Sequence, residues 1–474
     1  MSTTPSGTDL TAPRREGRHR KRVHLGAHFP GVNSTTVWRD PRAGSQTDFS
    51  SFAHVARTAE RGLMDFFFLA EGLRLREHRG RIVDLDVVGR PDTLPVLNAL
   101  AAVTTHLGLA GTLNTTFNEP FELARQLATL DHLSGGRAAW NVVTSSDAFT
   151  GENFRRGGYL AHEDRYARAR EVVGAVRGWW DSWADDALVA DAAAGTFVRA
   201  DRVAEVAARG EHVRARARGL LPRPPQGHPV LFQAGDSPQG RETAAALADA
   251  VFTVHGTLEA GQAFTADVKG RLAAHGRRPE DLKVLPGATF VLGDTPADAL
   301  ERARETRFLQ VGPEQAVAHV EALWGRELPG LDPDGPLPAS DPDPAATVTR
   351  GRVRHTTDPV ATAQRWRQLQ AEHGWSVREL VVEVTQRQQF VGTPEQVAAE
   401  IDLYVQADAC DGFILIPSLT PTGLDEFVDR VVPLLQERGA HRTAYEGPTL
   451  RHHLGLPVPA ARTVDGEAAD GEQR

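Results

Sequence analysis

From residue 23 to about 438, short apolar runs alternate with longer segments in which apolar residues return every three or four positions. Runs such as Phe66-Phe67-Phe68-Leu69 and Phe413-Ile414-Leu415-Ile416 show no polar alternation, the pattern of strands covered on both faces in a parallel sheet. Eight strands are predicted, at residues 23–29, 65–70, 107–114, 138–145, 230–235, 250–256, 284–292 and 412–417. Between them, amphipathic spacing predicts helices that include residues 49–61, 120–132, 164–183, 239–248 and 424–438. Eight strand-then-helix units make an α/β fold of the (β/α)8 TIM-barrel type the natural architecture. A doubly wound open sheet is the alternative, because periodicity does not report closure.

Two connections are too long for a plain barrel, so a single barrel domain over residues 23–456 is expected to carry insertions at 184–229 and 325–358. The first holds an arginine-rich stretch and the rigid Pro222-Arg223-Pro224-Pro225; the second holds Pro329-Gly330-Leu331-Asp332-Pro333-Asp334-Gly335-Pro336. Loops of that size serve as lids or stay disordered, and the second is expected to be partly mobile over the barrel mouth. Residues 1–22 carry Arg14, Arg15, Arg18, Arg20, Lys21 and Arg22 with no apolar core behind them, and read as a disordered basic tail rather than a signal peptide. Residues 457–474, rich in Gly, Glu, Asp and Ala, read as a disordered C-terminal tail.

Composition narrows the function classes. With 53 basic and 62 acidic residues the net charge is -9, which disfavours a general nucleic-acid binder. No apolar run is long enough to span a bilayer, so a cytoplasmic protein without a membrane partner is expected. Cys410 is the single cysteine, which excludes a disulfide framework and a thiolate metal cluster, and its apolar context reads as core.

A barrel enzyme builds its site at the C-terminal ends of its strands, and those positions are polar here. The first strand ends at His28, the second at Glu71-Gly72, and the third passes Thr112 and Asn114. The fourth carries Asn141, Thr144 and Ser145, the fifth runs into Gly235-Asp236-Ser237, and the sixth ends at His255-Gly256. Gly235 permits a tight turn and Ser237 can cap the next helix, whose amides would suit an anion; a plain capped turn is the other reading of the same residues. His162 and Tyr166 lie four apart on one helical face, as further donors for that anion or as a packing pair. The chain lacks a His-x-His element at strand ends, and His452-His453 lie near the tail, so no metal is expected. Neither a Gly-x-x-x-x-Gly-Lys loop nor a Gly-x-Gly-x-x-Gly turn after a strand is present, which argues against a triphosphate loop and a Rossmann site.

Several longer motifs, in order, carry a family resemblance. They are Trp38-Arg39-Asp40-Pro41, Phe68-Leu69-Ala70-Glu71, Thr115-Thr116-Phe117-Asn118-Glu119-Pro120, Asp131-His132-Leu133-Ser134-Gly135-Gly136-Arg137 with Ala138-Ala139-Trp140-Asn141, Gln233-Ala234-Gly235-Asp236-Ser237 and Gly392-Thr393-Pro394-Glu395-Gln396-Val397. Together they resemble the bacterial luciferase-like FMN-dependent monooxygenases, in the group containing nitrilotriacetate and dibenzothiophene-sulfone monooxygenases. The resemblance implies a luciferase-like barrel that uses reduced FMN from a separate NADH- or NADPH-dependent flavin reductase. With O2 it would oxygenate a small-molecule substrate, commonly breaking a C–N or C–S bond, as a homodimer or homotetramer.

By motif, His162, Tyr166 and Ser237 would hold the FMN phosphate, and Thr112 and Asn141 would face the ring or ribityl chain. Glu71 stands where relatives often carry Asp. His28 is the candidate catalytic group on the substrate side, with a core histidine as the other reading. Relatives often show a Gly-His-His-like element before Trp38-Arg39, where this chain reads Gly31-Val32-Asn33-Ser34-Thr35-Thr36-Val37, so no substrate carries over from a named relative. The competing functions are a deazaflavin-dependent hydride-transfer enzyme of the same superfamily, a metal-dependent barrel hydrolase, and a flavin-sensing scaffold without turnover.

Overall fold

The computed structural model describes residues 20–31, 36–75, 91–145, 151–154, 162–346, 348, 349, 352, 353, 358–385 and 389–461. The barrel wall consists of β1 (His24–Phe29), β2 (Phe66–Leu69), β3 (Gly108–Asn114), β4 (Ala138–Val143), β5 (Val230–Ala234), β6 (Ala250–Thr253), β7 (Lys283–Leu292) and β8 (Gly412–Leu415). All neighbours are parallel, and the β6–β7 pairing, Ala250↔Lys283 to Thr253↔Pro286, closes the ring that an open sheet would leave broken. These are the eight predicted strands, with ends differing by up to three residues.

Alternate residues of the wall point inward. Phe66, Phe68, Ala110, Ala139, Phe232, Ala250, Leu285 and Ile414 form the interior core, while Leu25, Phe67, Leu109, Trp140 and Leu231 pack outward against helices. The helices α1 (Phe49–Arg61), α2 (Thr93–Ala101), α3 (Pro120–Ser134), α4 (His162–Trp180), α5 (Pro238–Leu247) and α6 (Leu258–Gly270) follow β1 to β6 in turn. Their starts are set locally: Pro120 and Pro238 occupy first-turn positions, and Asp92, Ser237 and Thr257 side chains accept from amides of the first turn.

The N-terminal end of the barrel is built by repetition. Asp65, Asp249 and Asp411 each stand just before a strand and accept the amide of a residue early in a neighbouring strand: Leu25 at 2.8 Å, Leu231 at 2.9 Å and Val284 at 2.8 Å. Each carboxylate then meets a cation, Arg442, Arg451 and Lys269 respectively. The helix α3 ends on Gly135 and Gly136, with φ of 68° and 90°, a left-handed pair that side chains disfavour. Next to it the buried Arg137 guanidinium donates to the carbonyls of Ala101, Thr104, Leu107 and Ser134 and to Thr104 Oγ1. The front half of the Ser134–Asn141 motif is therefore scaffolding, and only its far end reaches the mouth.

The first long insertion differs from the expected loop, whereas residues 325–346 of the second form neither helix nor strand. Residues 184–229 form two antiparallel hairpins, Leu188–Asp191 with Thr196–Val198 and Val206–Arg209 with Arg214–Ala217. The Glu171 carboxylate of α4 anchors the second hairpin by accepting the amides of Glu211, His212 and Val213 at 3.1, 2.8 and 2.9 Å. The β7–β8 connection contains α7 (Pro296–Gln310), α8 (Pro313–Trp324), α9 (Pro359–His373) and α10 (Val377–Val384), then a short strand, Gln389–Gly392, beside the end of β7, and α11 (Pro394–Gln406).

That connection has its own apolar core, including Val320, Trp324, Leu337 and Leu380. Residues 325–346, expected to be loose, are pinned to it. Trp324 Nε1 donates to Ser340 O at 2.8 Å, Leu337 N donates to Gln370 Oε1 at 2.8 Å, and Arg367 donates to the carbonyls of Pro338, Ala339 and Ser340. The rest of the 325–358 stretch lies largely outside the described residues.

After β8 come α12 (Asp425–Arg430), α13 (Val432–Glu437) and α14 (Leu450–His453). Leu450, Leu454 and Leu456 join the interior core as a plug under the barrel. His452-His453, placed near a tail by the sequence, thus belong to this plug, and Arg223 further ties Pro459 O at 2.6 Å. The basic lead also enters the fold at its end, through Arg20–Asp402, Lys21–Asp408 and Arg22–Glu446 ion pairs. Among the described residues no helix is long and apolar enough to cross a membrane.

Candidate active site at the barrel mouth

The alternation that turns Phe68 and Phe252 inward also turns His28, Thr112 and Asn141 inward, toward the C-terminal end of the interior. The His28 ring lies 5.5 Å from Phe68, and Phe68 stacks on Phe252 at 5.9 Å. Thr112 and Asn141 are in register on adjacent strands. Asn141 Nδ2 donates to Thr112 Oγ1 at 2.9 Å, and both residues are buried. Asn141 Oδ1 has no hydrogen-bond partner among the described residues. A buried amide oxygen left in this state costs on the order of 1–3 kcal/mol, so it marks a place built for a donor from outside the chain.

The turn between β5 and α5 provides the second half of the site. Ser237 Oγ accepts the Gly240 amide at 3.0 Å, which leaves its own hydroxyl proton for another acceptor. Asp236 is turned aside, accepting from Thr253 Oγ1 at 2.8 Å. Gly235 sits close to both neighbours: a Cβ there would fall 2.8 Å from Gln233 Nε2, the movable end of that side chain, and 3.5 Å from the Tyr166 hydroxyl. Tyr166 thus faces this turn from α4. Its helix is oriented by Arg168, which donates to the carbonyls of Thr115 at 2.8 Å, His212 at 2.9 Å and Asn118 at 3.3 Å. His162 is the first residue of α4, and its side chain lies outside the described residues.

Glu71 follows β2 at the rim, where Oε2 accepts from Asn114 N at 3.2 Å and Asn114 Nδ2 at 3.0 Å. Burial pushes its carboxyl up to about 7, against the lowering effect of those two donors. Asn114 is consumed in this clamp and in accepting the Phe117 amide at 2.7 Å. His255 does not join the interior. Its strand ends at Thr253, and its ring packs on Phe264 of α6 at 4.9 Å, where burial lowers its proton affinity.

Sequence reasoning did not single out Gln233 as a site residue. Its Nε2 donates to Ala234 O at 2.9 Å, and its buried Oε1 has no partner among the described residues. The available signal was one amide inside the apolar run Val230-Leu231-Phe232-Gln233-Ala234. Cys410 is buried core, its thiol pushed up by burial. Among the described residues no three His, Cys, Asp or Glu side chains are grouped as a metal ion would need.

The mouth thus has an aromatic floor, an amide seeking a donor, and a glycine-serine turn with a tyrosine hydroxyl beside it. The family model described as luciferase-like monooxygenase matches residues 31–411. The chain belongs to the luciferase-like monooxygenase family. Its relatives in this family of oxidoreductases include nitrilotriacetate monooxygenase component A of Aminobacter aminovorans, 40% identical over 92% of this chain and 95% of that one. Dibenzothiophene-sulfone monooxygenase of Rhodococcus erythropolis (strain XP) is 39% identical over 93% of this chain and 98% of the other. Among solved structures, a riboflavin lyase with modified FMN and riboflavin superposes with a TM-score of 0.77 at 29% identity, covering 93% of this chain and 98% of that chain.

Proposed function

We propose that the protein is the oxygenase component of a two-component system. It takes reduced FMN from a separate NADH- or NADPH-dependent flavin reductase and, with O2, oxygenates a small organic substrate, breaking a C–N or C–S bond. It works in the cytoplasm as a homodimer or homotetramer. The observation that carries this reading is the pairing of a donor-bearing turn and a free acceptor on adjacent strands: the Gly235–Ser237 turn facing Tyr166, and the Asn141 amide oxygen, unpartnered among the described residues. A phosphate suits the first, as hydroxyls and helix-start amides favour an anion. A flat heterocycle carrying N–H groups suits the second. The residues present therefore fit FMN.

When bound, reduced FMN supplies the electrons for oxygen chemistry. The chain's residues do the rest. Tyr166, Ser237 and His162 hold the phosphate. Thr112 and Asn141 orient the ring or ribityl chain, and Gln233 supports the turn from behind. Phe68 and Phe252 keep the floor dry, which protects a reactive site from water. His28 faces the same space and is the substrate-side polar group. Relatives named for nitrilotriacetate and for dibenzothiophene sulfone support C–N and C–S bonds as the targets.

The test is binding of oxidised and reduced FMN by calorimetry, with the Tyr166→Phe, Ser237→Ala double variant as control. Preference for reduced FMN, lost in the variant, is the expected result. Failure to bind either form would overturn the reading.

A further inference from the structure

Two inward-facing glycines of the wall each make room for a phenylalanine ring. At Gly26 on β1 a Cβ would strike the Phe66 ring, and at Gly287 on β7 one would fall 2.9 and 3.1 Å from Phe252 Cζ and Cε2. Glycine weakens a strand interior, so it marks a close approach that something else requires. At Gly26 the requirement is packing alone, because Phe66 is fully buried in the interior core. Phe252 differs: it packs against the same core yet is only partly buried. What is left uncovered of this inward ring opens to the mouth.

Gly287 fixes how that ring lies. It stands two residues beyond Leu285 on the inward side of β7, and Leu285 is in register with Phe252. The Phe252 ring is stacked on Phe68 at 5.9 Å and 15°. Ile416 Cδ1, at 3.3 Å, bounds the same space that a Cβ at 287 would take. A rigid ring clears such a clash only by turning or shifting as a whole, which disturbs its alignment with Phe68.

The stacked pair joins the two halves of the site. Phe252 is in register with Ala234, the residue before the Gly235–Ser237 turn, and the adjacent Thr253 donates to Asp236 of that turn at 2.8 Å. Phe68 lies 5.5 Å from His28 and 6.3 Å from Phe232, which is in register with Asn141.

We propose that Gly287 is a positioning residue of the flavin site. By carrying no side chain it lets Phe252 lie nearly parallel to Phe68, and these two rings would hold the flat heterocycle while the turn holds the phosphate. The inference rests on the flavin reading above. Covering the open face of Phe252 removes apolar surface from water, and aromatic faces suit a flat ring.

Anaerobic calorimetry with two probes tests this: reduced FMN, and reduced riboflavin, which has the same ring and no phosphate. Gly287→Ala should weaken both by the same factor, about tenfold, the low end of what overpacking costs. The Tyr166→Phe, Ser237→Ala double variant should weaken FMN and leave riboflavin unchanged. Unchanged affinity in Gly287→Ala, or a loss for FMN alone, would overturn the proposal.

Urea unfolding of the flavin-free protein separates positioning from packing. Gly287→Ala should lower the midpoint. Adding Phe252→Leu removes both atoms that the new Cβ would meet, and should restore the midpoint while both flavins stay weakly bound. Recovery of binding along with stability would reduce Gly287 to a packing role and refute the proposal, as would a midpoint that Gly287→Ala leaves unmoved. If wild-type protein binds neither flavin, the flavin reading fails and this inference with it. The unfolding series, which needs no flavin, tells that failure apart from a ring that the glycine does not hold.

Discussion

The two ends of this barrel differ in the kind of polar group they bury. At the N-terminal end, buried carboxylates are saturated. Asp249 accepts the Leu231 amide and a two-nitrogen contact from Arg451 at 2.8 and 3.2 Å, while Asp65 takes the Leu25 amide, Arg442 and His24. At the C-terminal mouth, Asn141 Oδ1 and Gln233 Oε1 are buried and unanswered. Folding alone gains from the first arrangement and loses from the second. The closed end also holds buried atoms unpartnered among the described residues, Gln226 Oε1, Arg442 Nε and Nη1 and His453 Nδ1, so the contrast lies in its carboxylates, each matched by an amide and a cation.

The largest effect should come from breaking the closed end. Arg451→Ala leaves Asp249 buried without its cation, and a loss of about 3–5 kcal/mol in urea-unfolding free energy is expected. Reduced-FMN affinity per folded molecule should hardly change. A loss below about 1 kcal/mol would mean that the plug does not stabilise the barrel.

Acid should attack the same end. Burial pushes His453 down to about 4, with Arg442 adding to the shift. Its folded value lies below the unfolded one, so the unfolded chain binds the extra proton. Stability should therefore fall as pH drops from about 6.5 toward 4, by up to about 3 kcal/mol. His453→Leu should remove that part of the slope in denaturation series run at several pH values. Unchanged slopes would place the acid sensitivity elsewhere.

At the open end the effects move from stability to binding. The Tyr166→Phe, Ser237→Ala pair should weaken reduced FMN by about 10- to 100-fold, as two hydrogen bonds to a charged group are lost. Its folding cost should stay near 1 kcal/mol, the value of the Ser237 cap. The smallest effect on folding sharpens the contrast most: Asn141→Leu removes an unsatisfied oxygen but also the bond to Thr112 Oγ1, so the flavin-free protein should change by no more than about 1 kcal/mol in either direction. Calorimetry should show weaker reduced-FMN binding in the same variant. A clear loss of stability would mean that the amide already serves the fold.

Much of this was legible in the chain. The wall strands show as apolar runs because each is covered on both faces, and Ser237 shows as a cap because capping depends on residues three apart. Glu71, Thr112 and Asn141 could be placed near the mouth by counting from strand ends. Other features could not be read that way. The 184–229 segment looked like a loop because its strands are short, and Glu171 and Arg367, which hold the two insertions, lie outside them. His255 was given a place at the mouth by its position after β6, yet Phe264 holds its ring outside the interior.

The sequence by itself determined the alternation of strands and helices, the helix caps and the left-handed turn at Gly135-Gly136, since these depend on neighbours along the chain. Only the tertiary structure decided that the sheet closes through β6 and β7, that Arg442 and Arg451 return from the far end of the chain to neutralise Asp65 and Asp249, and that Asn114 clamps Glu71. Each of those contacts joins residues distant in sequence, where no local period or propensity can report which partner is met.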